Sequence, residues 1–351
     1  MIGSRKARRH RLRFSEPSNK ELERLAGVTR PTNIQMIHSM QSEQDSLPYY
    51  VTIEPTDSPI QHLLPAASMS PATIAPERIP QLREKFLNMD LTISDDKRFQ
   101  CEAFPTLNTV RLSRRVVELA WAFSYSYWEI YQAVFDGRQL TGEPIDWHNF
   151  GELVPALRLL RWSQQGLIGE HEEDWPAELP KPDPNRPYNS SEHVADEMAL
   201  CAVAMYLHHE FAHIYLKLEI SKDPMQEERL CDSSAADWIL GSLHLGTDVL
   251  QKRAMGVAIG MLMLAVRGLS HGNRCDGVHP QGYERLVDAL KDRVPVDQRA
   301  VWGVVVGMLA IHVNDSGLPA NLEAYDDYRD AALGYCDHIR MHLGGLGNDI
   351  I

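Results

Sequence analysis

Residues 198–218 read MALCAVAMYLHHEFAHIYLKL, and within them His209-Glu210-Phe211-Ala212-His213 spells H-E-x-x-H. Leu200, Val203, Ala204, Leu207, Phe211, Ile214 and Leu218 recur at spacings of three and four, which predicts an amphipathic helix over the whole run. On a helix, side chains at i and i+4 leave the same face about one turn apart. His209 and His213 can therefore grip one divalent ion while Glu210 reaches its bound water. A zinc hydrolase is the first expectation. His208 falls about 100° around the helix from His209 and is expected to be a bystander.

The start of this helix is read at Asn189, followed three residues later by Glu192 as in a capping box, after a loop carrying Pro176, Pro180, Pro182, Pro184 and Pro187. A hydrolytic zinc takes three protein ligands and leaves one position for water. Glu228 is the expected third ligand. It opens a second helical segment with Leu230, Ala235, Trp238, Ile239 and Leu240 as its apolar face, and Lys222-Asp223-Pro224 breaks the chain before it so that it can double back. Asp232, one turn on, is expected to accept the second ring N–H of a zinc-bound histidine. Glu227 is the alternative ligand and Asp237 the alternative outer partner. Ser233, Ser234, Ala235 and Ala236 are small enough for close helix packing.

This arrangement resembles the gluzincin type of zinc peptidase, and within it the family typified by the phage-exclusion protease Lit. The likeness rests on Leu207 to Leu216, on Glu228 to Leu240, and on His279-Pro280 followed by Arg285, with a weaker likeness over Phe104 to Tyr131. The resemblance implies zinc on His209, His213 and Glu228, Glu210 as general base, and an intracellular protein cut at an internal bond. It also implies a phage-exclusion or toxin-like role. Alternatives are a repressor-cleaving regulatory peptidase and a non-catalytic zinc-stapled interaction protein, whose site would be closed by His208, His271 or His279. A metal-independent interaction protein is a further reading.

Chemistry at such a site needs a donor for the developing oxyanion. His279 is the nominee, because Pro280 at a first helical position would leave it at a helix mouth, and Tyr283 is second. Under the structural alternative His279 only caps the helix and Arg285 makes an ion pair.

The chain has 351 residues at −13 net charge and 44 % hydrophobic content, which suits a soluble globular protein rather than a disordered one. The basic start is not followed by an apolar run, so a cytoplasmic location is expected. The apolar runs Ala254 to Val266 and Val301 to Val313 are shorter than the roughly twenty residues needed to span a bilayer and read as core helices, with no membrane partner. Cys101, Cys201, Cys231, Cys275 and Cys336 are odd in number and lack a CxxC pair, as expected of free thiols. Cys231, three residues from Glu228, is read as core packing, with a thiolate ligand as the alternative.

Arg5, Lys6, Arg8, Arg9, Arg11 and Arg13 form a basic arm, and removing those six cations from a chain at −13 leaves −19 for the rest. The arm is read as solvated, with a nucleic-acid or acidic partner as the alternative. Residues 1–92 are expected to be this arm and an irregular region, either a linker or a loose N-terminal layer, with a strand at Leu47 to Ile53 and a Ser/Pro/Ala-rich stretch from Ser58 to Pro80. Residues 93–351 are expected to form an α-rich metallopeptidase domain. Thr106 to Leu112 alternates as a strand should, and the resemblance to gluzincins, in which an edge strand pairs with the extended substrate, nominates it for that role. A long aromatic-rich helix starts at Ser113, its stripe read as core. Further helices are expected near 149–164, 247–268, 280–292, 296–313 and 320–342. The fold expected is mainly α with a small sheet, zincin-like, the zinc held between two adjacent helices.

Overall fold

In a computed structural model, the structure describes residues 47–86, 88–135, 151–169, 173–216, 223–241, 247–270, 281–319, 321 and 325–344. The fold is mainly α with one small mixed sheet. Four strands are described: β1 (Tyr49–Ile53), β2 (Met89–Ser94), β3 (Cys101–Phe104) and β4 (Thr109–Ser113). They lie in the order β1-β2-β4-β3, the first three parallel and β3 antiparallel to β4 at the outer edge. Period-two alternation sends Met89, Leu91, Ile93, Val110 and Leu112 into the core and leaves Asp90, Glu102 and Arg111 exposed. β3 turns back into β4 through Asn108, whose left-handed backbone (φ 51°) suits asparagine.

Helices α1 (Leu64–Thr73) and α2 (Ile79–Lys85) connect β1 to β2. After β4 come α3 (Arg114–Ile130), α4 (Val154–Leu167), α5 (Ser191–Tyr215), α6 (Pro224–Leu240), α7 (Thr247–Ser270), α8 (Gly282–Leu290), α9 (Arg299–Asp315) and α10 (Tyr328–Gly344). The H-E-x-x-H helix is α5, and α1, α3, α6, α7 and β3 all pack against it. It is therefore buried around most of its circumference. Small residues make this close: a methyl on Gly256 of α7 would land 2.0 Å from Cys201 Cβ of α5.

The predicted boundary at residue 92 falls inside β2, and residues 47–86 supply β1, α1 and α2 to the same body, so of the two readings, linker or N-terminal layer, these residues take the second, packed into the core rather than loose. Its Ser/Ala/Pro composition is that of a helix in tight contact, with Ala67, Ser68, Ser70, Pro71 and Ala72 of α1 all buried. The basic arm lies outside the described residues. The nominated edge strand is also corrected. Thr109–Ser113 is an interior strand between β2 and β3, and the edge is β3, four residues that sequence periodicity did not resolve. The capping box at Asn189 shifts by one residue: Asn189 is left-handed (φ 60°), and Ser190 is the N-cap, its hydroxyl accepting from the His193 N–H.

Both apolar runs are buried, in α7 and α9. By length and composition Thr247–Gly268 could cross a membrane, yet 72 % of its most apolar window is buried within the fold. Cys201, Cys231 and Cys336 are buried free thiols, Cys101 is partly buried, and Cys275 lies outside the described residues.

Candidate active site

Two helices and one strand build the site. α6 begins where Asp223 caps it, accepting from the Gln226 N–H, with Pro224 in the first turn. Glu227 and Glu228 follow near this N-terminus, where the helix dipole favours negative charge. α6 lies beside α5, and the two meet at a single cluster.

His209 Nε2 lies 3.2 Å from His213 Nε2 and 3.3 Å from Glu228 Oε2, and His213 Nε2 lies 3.3 Å from Glu228 Oε1. The ligating atoms of the three residues all fall within 4.8 Å of one another, and Glu228 is 7 % exposed. Tetrahedral zinc with bonds near 2.0–2.1 Å sets its ligand atoms about 3.3 Å apart, so the triangle has the right size for one small cation.

The outer nitrogens are held as well. His209 Nδ1 lies 2.9 Å from Asp232 Oδ1, and His213 Nδ1 lies 3.1 Å from Glu227 Oε1. A carboxylate on each Nδ1 fixes the tautomer that turns an Nε2 lone pair into the triangle. Asp232 is itself gripped by Arg285 of α8, Nε to Oδ2 at 2.6 Å and Nη2 to Oδ1 at 2.7 Å. The same Nη2 lies 3.7 Å from Glu228 Oε2.

Without a cation these carboxylates collect protons on the imidazoles. Burial alone would depress His209, but its hydrogen bonds to Asp232 and Glu228 push it up to about 10. His213 is raised the same way, against burial, by Glu228. Burial opposes ionisation of Asp232, yet His209 and Arg285 hold it below the usual carboxylate range. A cluster that retains protons on histidine is one with an excess of negative charge, which a divalent cation would neutralise with release of those protons.

Glu210 stands outside the triangle. It is half-buried, the Ala103 N–H of β3 donates to its carboxylate, and burial raises its pKa. Cys101, two residues earlier on β3, lies near it, its thiol pushed well up by burial and by Glu210.

His279 and His271 lie outside the described residues. Tyr283 is buried at 3 % exposure, and Arg285 of the same helix reaches the cluster. Asp237 pairs with Arg293. Glu227 serves His213 Nδ1, and Glu228 serves both Nε2 atoms. His208 points away, its Nε2 lying 3.2 Å from the Pro71 carbonyl oxygen and its ring stacked on Trp238, while burial pushes its pKa down to about 3. It cannot close the cluster as a fourth ligand.

Sequence reading placed Glu227 at the site only as an alternative ligand and Arg285 only in an ion pair without a named partner, so it missed three contacts: Glu227 on His213 Nδ1, Arg285 on Asp232, and the β3 amide on Glu210. The Glu227-Glu228 doublet carried a signal for the first, since neighbours on a helix diverge by about 100° and can serve two different histidines. The other two join residues far apart in the chain and had no local signature.

The chain is 29 % identical over 282 residues to the "Cell death peptidase" of Escherichia coli (strain K12), an alignment covering 76 % of this chain and 92 % of the relative. No solved structure matches the chain. The family profile "Peptidase U49" matches residues 110–313, more than half of the chain and all of the cluster just described, and the protein therefore belongs to the Peptidase U49 family of proteases.

Proposed function

We propose that the protein is a zinc-dependent endopeptidase that hydrolyses an internal bond of a cytoplasmic protein. The single observation that carries this reading is the placement of Glu210 beside, but not within, the His209–His213–Glu228 triangle. A purely structural metal would have no use for a half-buried carboxylate at its flank.

His209, His213 and Glu228 would hold the metal. When bound, zinc supplies Lewis acidity, polarising the scissile carbonyl and bringing the pKa of a coordinated water toward about 7. Glu210 takes the proton of the attacking water on its carboxylate and passes it to the departing amide nitrogen. Its burial favours that duty, because a raised pKa brings the carboxyl closer to the working pH. The Ala103 N–H keeps the carboxylate turned toward the cluster. β3 is the outermost strand of the sheet among the described residues, and an extended substrate segment can lie along its outer side, next to the point where its Ala103 N–H meets Glu210.

The name of the Escherichia coli relative supports a role in which cleavage harms the cell, as in phage exclusion or a toxin. Identity of the cut protein separates this from a repressor-cleaving regulator.

Glu210→Gln tests the reading. The variant should bind one zinc per chain as the wild type does, and lose at least about a hundredfold in cleavage. The assay is a search for new protein N-termini in cells expressing wild type or variant. New termini that appear equally with Glu210→Gln would sink the proposal.

A further inference from the structure

We propose that Arg285 is a positioning residue for the metal: by gripping Asp232 it fixes the ring of His209, and through that ring sets the affinity of the site. The inference rests on the metal reading given above.

Arg285 is 8 % exposed, and its two donors engage both oxygens of Asp232. Oδ1 is shared, taking Nη2 at 2.7 Å and His209 Nδ1 at 2.9 Å. A terminal carboxylate has a broad torsional well of its own, so a single histidine partner would leave it free to swing. With Nε on Oδ2 at 2.6 Å, rotation would break the fork, and Oδ1 stays aimed at the imidazole.

A plain strut between α8 and α6 would not require this residue. Arg229 of α6 already reaches Glu284 and Asp288 of α8, and Arg293, just past α8, reaches Asp237 and Ser233 of α6. Both of those links lie toward the surface. A third link made of a buried guanidinium carries a desolvation cost that an apolar side chain would avoid. What the guanidinium adds is direction, two fixed donors on the carboxylate that orients a ligand.

The two histidines are also treated unequally. Glu227, the partner of His213 Nδ1, has no arginine on its carboxylate among the described residues. The firm anchor is on the His209 side alone.

The test is the zinc dissociation constant, by competition with a chromogenic chelator, for wild type, Arg285→Ala, Arg285→Lys, Asp232→Asn and the Arg285→Ala/Asp232→Asn double variant. Arg285→Ala should weaken binding about 10- to 100-fold. Arg285→Lys should recover only part of this, because an ammonium cannot engage both oxygens. The double variant should bind no more weakly than the worse single one, since Arg285 bonds to Asp232 at 2.6 and 2.7 Å while its approach to Glu228, at 3.7 Å, is beyond hydrogen-bond range. Thermal melts supply a second readout: the rise in Tm on adding zinc should shrink in Arg285→Ala, whereas a strut would lower the metal-free and metal-bound forms alike. Should Arg285→Ala fail to fold, Arg285→Lys decides, and full zinc affinity in that variant overturns the inference. So do an unchanged affinity in a folded Arg285→Ala, or losses that multiply in the double variant. A wild type that takes up no zinc overturns the metal reading itself, and this inference with it.

Discussion

Gly282 opens α8 against the backbone of α7, and adding one methyl there should damage a site that the residue does not touch. A Cβ at Gly282 would lie 2.3 Å from Ala265 Cα, 2.4 Å from Ala265 N and 2.7 Å from Leu264 C. All three neighbours are main-chain atoms of a helix and cannot swing aside. Reaching ordinary contact at 3.4 Å from 2.3 Å needs α8 to retreat by about 1.1 Å. Arg285 lies three residues further along the same helix, and its bonds to Asp232 at 2.6 and 2.7 Å would stretch beyond hydrogen-bond range if it moved as a body. Overpacking of this kind costs about 1–3 kcal/mol, and weakening a charge-assisted pair adds to it, so Gly282→Ala should lose about 2–4 kcal/mol. Urea unfolding measures that loss. Zinc uptake by the folded fraction should weaken in parallel. Gly151→Ala is the control, since a methyl there meets nothing within 4 Å, and its stability should stay within about 0.5 kcal/mol of wild type. A Gly282→Ala protein as stable as the control, with unaltered zinc affinity, would show that the α7–α8 contact does not govern Arg285.

Two further outcomes follow from groups away from the cluster. His312, buried in α9 with its Nε2 2.9 Å from the Tyr127 hydroxyl, is pushed by burial down to about 4, whereas the unfolded chain titrates near 6.5. Its contribution is therefore complete above about pH 6.5 and falls away as the pH drops toward 4, by about 3 kcal/mol; His312→Gln should flatten that part of the acid limb in pH-dependent urea melts, and an unchanged slope would refute the assignment. Asp223→Ala removes the cap of α6 and should cost about 1 kcal/mol. It should also loosen zinc, because Glu228 lies in the second turn from that end, and circular dichroism with chelator competition would read both effects.

The features legible in the sequence were those carried by a single helix. His209, Glu210 and His213 occupy one face by spacing alone, and Glu228 with Asp232 repeats the same logic one helix later. α7 and α9 were equally plain, their apolar runs being too long and too unbroken for strands. Features set by packing between elements were not legible. α1 looked irregular because serine, alanine and an internal proline are poor markers of a helix, although small side chains are what its close contact with α5 requires. β3 has four residues and gives alternation too little length to register. The edge role therefore went to β4, which alternates more clearly and lies one strand inward. Asn189 and Ser190 are both good caps by type, and only the left-handed backbone of Asn189 decides between them. Arg285 and Asp232 are 53 residues apart, a pairing that no local pattern announces.

The H-E-x-x-H helix is deeply buried although Asp196, Tyr206, His208, His209, Glu210 and His213 lie along it, and burying polar groups is costly unless each finds a partner. Each of these six does, and the partners are spread over five surrounding elements. Asp196 takes the Trp121 indole N–H of α3 and pairs with Arg186. Tyr206 donates to the Gly260 carbonyl of α7 at 2.6 Å. His208 meets the Pro71 carbonyl, one of the last carbonyls of α1 that no helical N–H reaches. Glu210 takes the β3 amide, and His209 and His213 turn to α6. Apolar packing alone would let α5 slide or roll by a fraction of a turn at small cost, since hydrophobic contact is not directional. Directional bonds to α1, α3, α6, α7 and β3 forbid that, because any roll breaks several at once and strands buried polar atoms. The rotation and height of the helix are thereby fixed on every side, and two imidazoles held within a few tenths of an ångström of ligand spacing are the consequence.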